Sequence, residues 1–323
     1  MAIRTALTEA FGLKYPIVLA PMASVAGGCL AAEVSNSGGL GLVGGGYGDP
    51  DWLREELALA RDEARRPWGV GLITWCATRE TVDLALSYEP NAFMLSFGDS
   101  SPYASAIKET GCKLICQVQD VEGALAAEAA GADFIVAQGT EAGGHGAEHA
   151  STLPLVPAVV DAVDATPVLA AGGIADGRGL AAALMLGAQG ALIGTRFYAS
   201  IEALGHEQAK KQIVAARGSE TKRTQVFDVV RGIQWPEEYT GRALRNDFLE
   251  RWDGWEKKLA TAPDGEDETF REAEQEGDTS IAVVWCGEAA DLISDVPAAA
   301  ELVRRVGDEA KGCLRSGNGL VHA

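Results

Sequence analysis

The chain has 323 residues, of which 47% are hydrophobic and 23% are charged, and its formal net charge is −19. This composition is ordinary for a globular protein, excludes a largely disordered chain, and allows two domains or one large barrel. No run of 18 apolar residues predicts a membrane span, and the negative charge disfavours nucleic acid and anionic membranes as partners. Six scattered cysteines without a CxxC pair predict free thiols and a cytoplasmic location.

Eight short apolar runs are spaced through the first 200 residues, with Ala-rich segments between them. Runs that are apolar throughout, rather than alternating, are typical of parallel strands buried on both faces. Eight such strands separated by helices predict a (β/α)8 TIM barrel, although an open doubly wound sheet has a similar pattern. The predicted strands are 16–20, 40–43, 68–73, 92–95, 113–117, 133–137, 167–171 and 190–193.

Two stretches, 118–139 and 174–195, look like copies of one unit. At an offset of 56 residues, Asp120 matches Asp176 and Gly131 matches Gly187. We expect each Asp to cap the start of a helix and each Gly to adopt a left-handed conformation at its end. Such helix–turn–strand units are what the predicted barrel requires.

The composition changes after residue 200, which suggests three parts. We predict a barrel over 1–200, a helical C-terminal insertion or lid over 201–295, and a helix within 296–323 that returns to the barrel. Within the insertion, residues 263–278 are rich in acids and predict an exposed connection.

Glycine-rich loops follow the last two predicted strands, at the end where such barrels place their active sites. Gly172 and Gly173 follow the seventh strand, and Gly194 and Thr195 follow the eighth. Glycines let backbone N–H groups approach a phosphate closely. Tight turns alone are the structural alternative, but two such loops on successive strands favour a phosphate site.

A histidine lies in the loop after the sixth strand, within QGTEAGGHG at 138–146. His145 is a candidate acid–base residue, because histidine exchanges protons near neutral pH; a bond to a loop carbonyl is the structural alternative. His145 to His149 also spells HxxEH, a metalloprotease pattern. That pattern needs a helix, which the three glycines beside His145 disfavour, so we expect no metal site.

Three more side chains stand at the ends of predicted strands. Met22 follows the first strand, and Gln117 and Gln138 close the fifth and sixth. At the carboxyl end of a barrel strand such side chains suggest ligand contact. Packing of Met22 and backbone capping by the glutamines are the alternatives.

Together these motifs resemble the nitronate monooxygenase family, formerly called 2-nitropropane dioxygenases, a family of FMN-containing barrels. The segments that carry the resemblance are Ala20-Pro21-Met22, QGTEAGGH at 138–145, Ala171-Gly172-Gly173-Ile174, Gly194-Thr195-Arg196-Phe197 and VVWCGEAADLI at 283–293. The reaction that it implies is oxidation of alkyl nitronates or nitroalkanes with O2 to carbonyl compounds and nitrite.

The resemblance also implies roles for individual residues. His145 matches the histidine that acts as a base toward neutral nitroalkanes or orients the nitronate. The implied FMN contacts are Gly172, Gly173, Gly194 and Thr195 at the phosphate, and Met22, Gln117, Gln138 and Gly143 around the flavin ring and ribityl chain. One position departs from the family: Gly71 stands where the family often has an Asn that touches the flavin.

Other functions remain open on the same residues. An NAD(P)H-dependent FMN reductase of quinones or enoyl thioesters shares a similar Gly-Gly-His loop. A flavin-free isomerase or aldolase of sugar phosphates would also use the glycine loops, and a non-enzymatic FMN-binding protein would use the same cradle. The sequence predicts neither the physiological substrate nor the oligomeric state.

Overall fold

The computed structural model describes residues 3–261 and 265–317. Residues 1–2 and 318–323, at the ends of the first and last predicted segments, lie outside the described residues, as do 262–264. The strands are β1 (Ile17–Leu19), β2 (Gly41–Gly46), β3 (Trp68–Ile73), β4 (Ala92–Ser96), β5 (Lys113–Val118), β6 (Phe134–Gln138), β7 (Gly144–Gly146), β8 (Val168–Ala171), β9 (Ala191–Ile193), β10 (Thr221–Thr224) and β11 (Thr240–Leu244).

Eight of these strands form one parallel sheet in the order β1-β9-β8-β6-β5-β4-β3-β2. An isolated parallel bridge between Val18 and Leu40 joins the two edges of the sheet. The predicted TIM barrel is therefore confirmed, and each predicted strand coincides with an observed one apart from shifts at the ends.

Helices follow the barrel strands, and within the described residues short 3₁₀ turns occur at Thr74–Cys76, Gly218–Glu220 and Glu288–Leu292. The last helix packs against the helices that follow β1 and β8, so it completes the outer ring. The helices are α1 (Ala6–Phe11), α2 (Gly28–Asn36), α3 (Pro50–Glu63), α4 (Arg79–Leu86), α5 (Ser101–Glu109), α6 (Val121–Ala129), α7 (Thr152–Ala162), α8 (Gly177–Met185), α9 (Thr195–Tyr198), α10 (Glu207–Ala215), α11 (Val226–Val230), α12 (Asp247–Trp252), α13 (Glu256–Leu259), α14 (Glu266–Glu276) and α15 (Ala299–Gly317).

The interior of the barrel is filled by apolar side chains from alternate positions of the strands, among them Val18, Leu42 and Met94. Leu7 and Phe11 of α1 join this cluster, and Phe11 lies against Phe134 at the start of β6. Helix α1 therefore closes the amino-terminal end of the barrel. The opposite end, where the predicted loops lie, is left for the site.

The predicted helix caps are confirmed in both copies of the repeated unit. The side chain of Asp120 accepts a hydrogen bond from the N–H of Gly123, and that of Asp176 accepts from Gly179. Gly131 and Gly187 have φ of +86° and +98°, the left-handed conformation that a helix end of this kind requires. These turns deliver β6 and β9 to the barrel.

The segment predicted as a helical insertion, 201–295, contains helices α10 to α14 and also two strands that were not predicted. Strands β10 and β11 pair antiparallel, and β11 also pairs with β7, which gives a three-stranded sheet. A separate apolar core includes Phe227, Phe248 and Phe270. The chain enters and leaves the insertion at one place, because the N–H of Ile201 donates to the carbonyl of Pro297 at 3.0 Å.

The exposed connection predicted over 263–278 is exposed at most of its described residues, but it is mainly a helix, so the prediction of a mere connection is wrong. Residues 266–276 form α14, and Phe270 on that helix is only 1% exposed. Phe270 and Ala273 are three residues apart and share one face of the helix, so the acidic residues lie on the remaining faces. Residues 263 and 264 lie outside the described residues.

All six cysteines are free thiols, as predicted. Burial raises the pKa of Cys116 to about 11 and that of Cys286 to about 12, so both side chains behave as small apolar core residues at neutral pH. Within 3–261 and 265–317, no helix has both the length and the apolar character that a membrane crossing requires.

Candidate active site

A cavity of about 530 Å³ lies at the carboxyl ends of the barrel strands, beneath the insertion. The structure brings all nine of the predicted site residues to its wall. What each residue binds stays a prediction. The nine residues are Met22, Gln117, Gln138, Gly143, His145, Gly172, Gly173, Gly194 and Thr195.

One end of the cavity is built from the glycine loops after β8 and β9. Gly172 and Gly173 have φ of +101° and +68°, a conformation that glycine adopts without strain. A Cβ on Gly143, in the loop after β6, would lie 2.5 Å from the backbone nitrogen of Gly287, so this loop and the segment around Gly287 meet where only hydrogen fits. The hydroxyl of Thr195 accepts a hydrogen bond from the N–H of Gly287 at 3.1 Å. The loops therefore form one close-packed cradle.

Several backbone N–H groups in this cradle are free. Those of Gly173, Ile174 and Gly194 have no hydrogen-bond acceptor within the part of the chain that the structure describes. Converging free N–H groups form a concavity that suits anionic oxygens. These residues therefore fit a phosphate group.

The other end of the cavity is built around His145, whose side chain is 9% exposed. His145 lies on β7, opposite Gly241 of β11. Its Nε2 lies 3.0 and 2.9 Å from the two carboxylate oxygens of Asp228. Its ring stacks on Trp235, with centroids 3.7 Å apart and planes 6° apart, and Trp285 lies 4.9 Å away. The imidazole is therefore fixed in position and in rotation.

Gln138 and Arg223 hold the loop that carries His145. The side-chain oxygen of Gln138 accepts from the amides of Gln117 and Gln119, and its Nε2 donates to the carbonyl of His145 at 2.9 Å. Arg223 donates to the carbonyls of Thr140 and Gly146, at 2.9 and 3.0 Å. Burial lowers the pKa of Arg223 to about 10. Gln138 is thus already engaged by protein groups, whatever it also contacts in the cavity.

An aromatic wall, formed by Tyr47, Phe97 and Trp235, faces the cavity beside His145. The indole N–H of Trp235 donates to the hydroxyl of Tyr47 at 3.0 Å, and Phe97 meets Trp235 edge-on at 5.2 Å. These residues come from the loops after β2 and β4 and from the insertion. The wall therefore meets His145 through Trp235, whose ring covers one face of the imidazole.

Gly71, the position that departs from the family, packs directly against Pro21. A Cβ on Gly71 would lie 2.4 Å from Cγ of Pro21. The proline ring therefore occupies the space into which an asparagine side chain would begin. An asparagine at residue 71 would require Pro21 to move.

Three partners of His145 were not predicted from the sequence: Asp228, Trp235 and Trp285. One feature of the sequence could have indicated Asp228: it is the single acidic residue in the apolar run VFDVV. An acid in such a run is expected to be buried, and a buried carboxylate needs a partner. No feature of the sequence around Trp235 or Trp285 points to His145. His145 lies on a strand and His149 is exposed, so the two histidines of HxxEH do not share the helix face on which that pattern depends.

Comparison with known proteins identifies the family of the chain. The family model described as nitronate monooxygenase matches residues 4–80 and 73–309. A nitronate monooxygenase of Neurospora crassa is 36% identical over 92% of this chain and 90% of that protein. A probable nitronate monooxygenase of Staphylococcus saprophyticus is 31% identical over 92% of this chain and 95% of that protein.

Two solved structures share the fold over nearly the whole chain. FabK from Thermotoga maritima has a TM-score of 0.87 and 31% identity, covering 99% of this chain and 100% of that one. A nitroalkane oxidase from Streptomyces ansochromogenes has a TM-score of 0.82 and 28% identity, covering 97% and 100%. On the family match and the identity to these relatives, the chain is an oxidoreductase that belongs to the nitronate monooxygenase family.

Proposed function

We propose that the protein binds FMN in this cavity and oxidises alkyl nitronates with O2 to carbonyl compounds and nitrite. Neutral nitroalkanes are substrates of the same site once a proton has been removed. The observation that carries the proposal is the pairing of two ends in one cavity, with free backbone N–H groups at Gly173, Ile174 and Gly194 and a fixed imidazole at His145.

Each end has a separate task in this proposal. The cradle of Gly172, Gly173, Gly194 and Thr195 would hold the phosphate of FMN, because its N–H groups have no acceptor among the described residues. Met22, Gln117, Gln138 and Gly143 also line the cavity and would contact the ring and ribityl chain. The chemistry that FMN supplies when bound is electron transfer from an electron-rich carbon to dioxygen.

The chain's own contribution is to bind the substrate and to control its proton. His145 would take the proton from a neutral nitroalkane, or bind the anionic oxygens of a nitronate. Trp235 and Trp285 limit the access of water to this histidine, which strengthens charge interactions there. Two nitronate ions and one O2 balance to two carbonyl molecules and two nitrite ions.

The test begins with the visible absorption spectrum of the purified protein and with chromatography of any flavin released from it. We expect FMN, and a protein that is colourless and does not take up added FMN would refute the proposal. Anaerobic mixing with ethyl nitronate should then bleach the flavin, and O2 should restore its colour with release of nitrite.

A second candidate is NAD(P)H-dependent reduction of quinones or enoyl thioesters on the same FMN. The aromatic wall favours it, because Tyr47, Phe97 and Trp235 offer flat surfaces to a planar ring. The two candidates separate in the same anaerobic experiment. Rapid bleaching by NADH or NADPH, with none by nitronate, would select the reductase.

A further inference from the structure

Asp228 is a buried carboxylate whose side chain has one partner in the described chain, His145. It is 2% exposed, in α11 of the insertion, beside Phe227. A carboxylate removed from water is costly unless it is hydrogen-bonded and compensated. Both of its oxygens lie within 3.0 Å of Nε2 of His145, so this contact is what makes the buried charge tolerable.

The contact decides which nitrogen of His145 carries hydrogen. An ionised carboxylate accepts hydrogen bonds and donates none, so Nε2 must be the protonated nitrogen. In a neutral imidazole the lone pair is then on Nδ1. Nδ1 has no hydrogen-bond partner among residues 3–261 and 265–317, and the ring lines the cavity. A flip of the ring would place a carbon against Asp228 and lose the bond.

We propose that Asp228 is the positioning residue of the site: it holds His145 in the Nε2–H tautomer and so makes Nδ1 the base. This inference rests on the proposed function. In the step, the C–H bond next to the nitro group breaks, and its electron pair stays on the substrate as the nitronate. The proton forms an N–H bond at Nδ1, and Asp228 stabilises the resulting imidazolium, the role that an aspartate has in Ser-His-Asp sites.

The first test reads the tautomer directly and needs no substrate. Nitrogen-15 NMR of the imidazoles distinguishes the two neutral tautomers and the imidazolium, and the chain has only four histidines to assign. We expect His145 to be the neutral Nε2–H form in the wild type. In Asp228→Asn, whose amide can donate to Nε2, we expect the Nδ1–H form. An imidazolium or a mixture of tautomers in the wild type overturns the proposal.

The second test separates the proton step from the later chemistry. In Asp228→Asn, turnover of a neutral nitroalkane such as nitroethane should fall by roughly 10²–10⁴-fold. Turnover of preformed ethyl nitronate should stay within about tenfold, because that substrate has already lost its proton. The matched control is Asp247→Asn, an exposed acid in the same insertion, and both of its rates should equal the wild type's.

Equal losses on both substrate forms, or wild-type nitroethane turnover in folded Asp228→Asn, would overturn the role of Asp228. If the wild-type protein turns over neither form, the proposed function fails, while the NMR result still decides whether Asp228 fixes the tautomer. If Asp228→Asn does not fold, the tautomer of His145 in the NMR spectrum of the wild type is by itself the test of the proposal.

Discussion

The glycine end of the cavity and its histidine end differ in whether each of their parts can be recognised from its own stretch of sequence. At the glycine end, distant loops also meet, as Thr195 and Gly287 do, but each loop presents its glycines and free N–H groups within a few consecutive residues, such as Gly172 to Ile174. At the histidine end, Asp228 lies 83 residues beyond His145, and Trp235 and Trp285 lie farther still. Backbone geometry that forms within one loop can be recognised as a sequence motif. Contacts between side chains of distant segments produce almost no such motif.

The largest effect that would sharpen this comparison is expected from His145→Ala. Turnover of neutral nitroalkanes should fall by roughly 10²–10⁴-fold, and that of preformed nitronates should fall less. Bound flavin should be retained, because the histidine end does not form the cradle. The control is His149→Ala, an exposed residue of the same loop. Wild-type rates on both substrate forms in flavin-loaded His145→Ala would remove His145 from the mechanism.

Gly173→Leu should instead prevent flavin from binding in the cradle. Its Cβ would lie 3.1 Å from Glu141 at a φ of +68°, and the side chain would occupy the space where the free N–H groups converge. The control is Gly111→Leu, at a φ of +81° with open space around it. Both variants share backbone strain of about 1–2 kcal/mol, so only a loss of flavin specific to Gly173→Leu supports the placement. Unchanged flavin content in that variant contradicts it.

Trp235→Leu removes the stacked partner of His145 and leaves Asp228 in place. We expect nitroalkane turnover to fall by about tenfold, because a small misplacement of a reacting group is costly. Trp252→Leu is the matched control, since Trp252 is equally buried in the insertion core but does not line the cavity. Both should lower the melting temperature, and only Trp235→Leu should lower the rate. Equal rates in the two variants would show that stacking contributes nothing to catalysis.

A smaller effect, on stability, is expected from Gly71→Ala. The added methyl group would lie 2.4 Å from Pro21, and overpacking of this kind costs about 1–3 kcal/mol. Gly312→Ala in α15 has open space and is expected to be neutral or slightly stabilising. Thermal unfolding of both variants measures the difference. A Gly71→Ala protein as stable as the wild type would mean that Pro21 moves freely.

The barrel could be predicted because its strands are buried on both faces and therefore read as continuous apolar runs. The caps at Asp120 and Asp176 could be predicted because each bonds within its own helix turn. Strand β10, with the sequence TKRT, carries no strand pattern, and it is a strand because it pairs with β11. The role of Asp228 could not be predicted, because only the fold brings it into contact with His145, 83 residues away in the sequence.

The hydrogen bond from Ile201 to Pro297 means that the chain leaves the barrel and comes back at one point. The insertion also meets the barrel away from this junction, because β11 pairs with β7 and Arg223 donates to the carbonyls of Thr140 and Gly146. The segment also supplies Gly287, whose N–H donates to the hydroxyl of Thr195 in the cradle. We expect chimaeras that exchange residues 201–297 between relatives to keep the cofactor only where β11 and Gly287 of the new segment fit the host barrel. Their substrate should change, because Asp228, Trp235 and Trp285 all come from the exchanged segment.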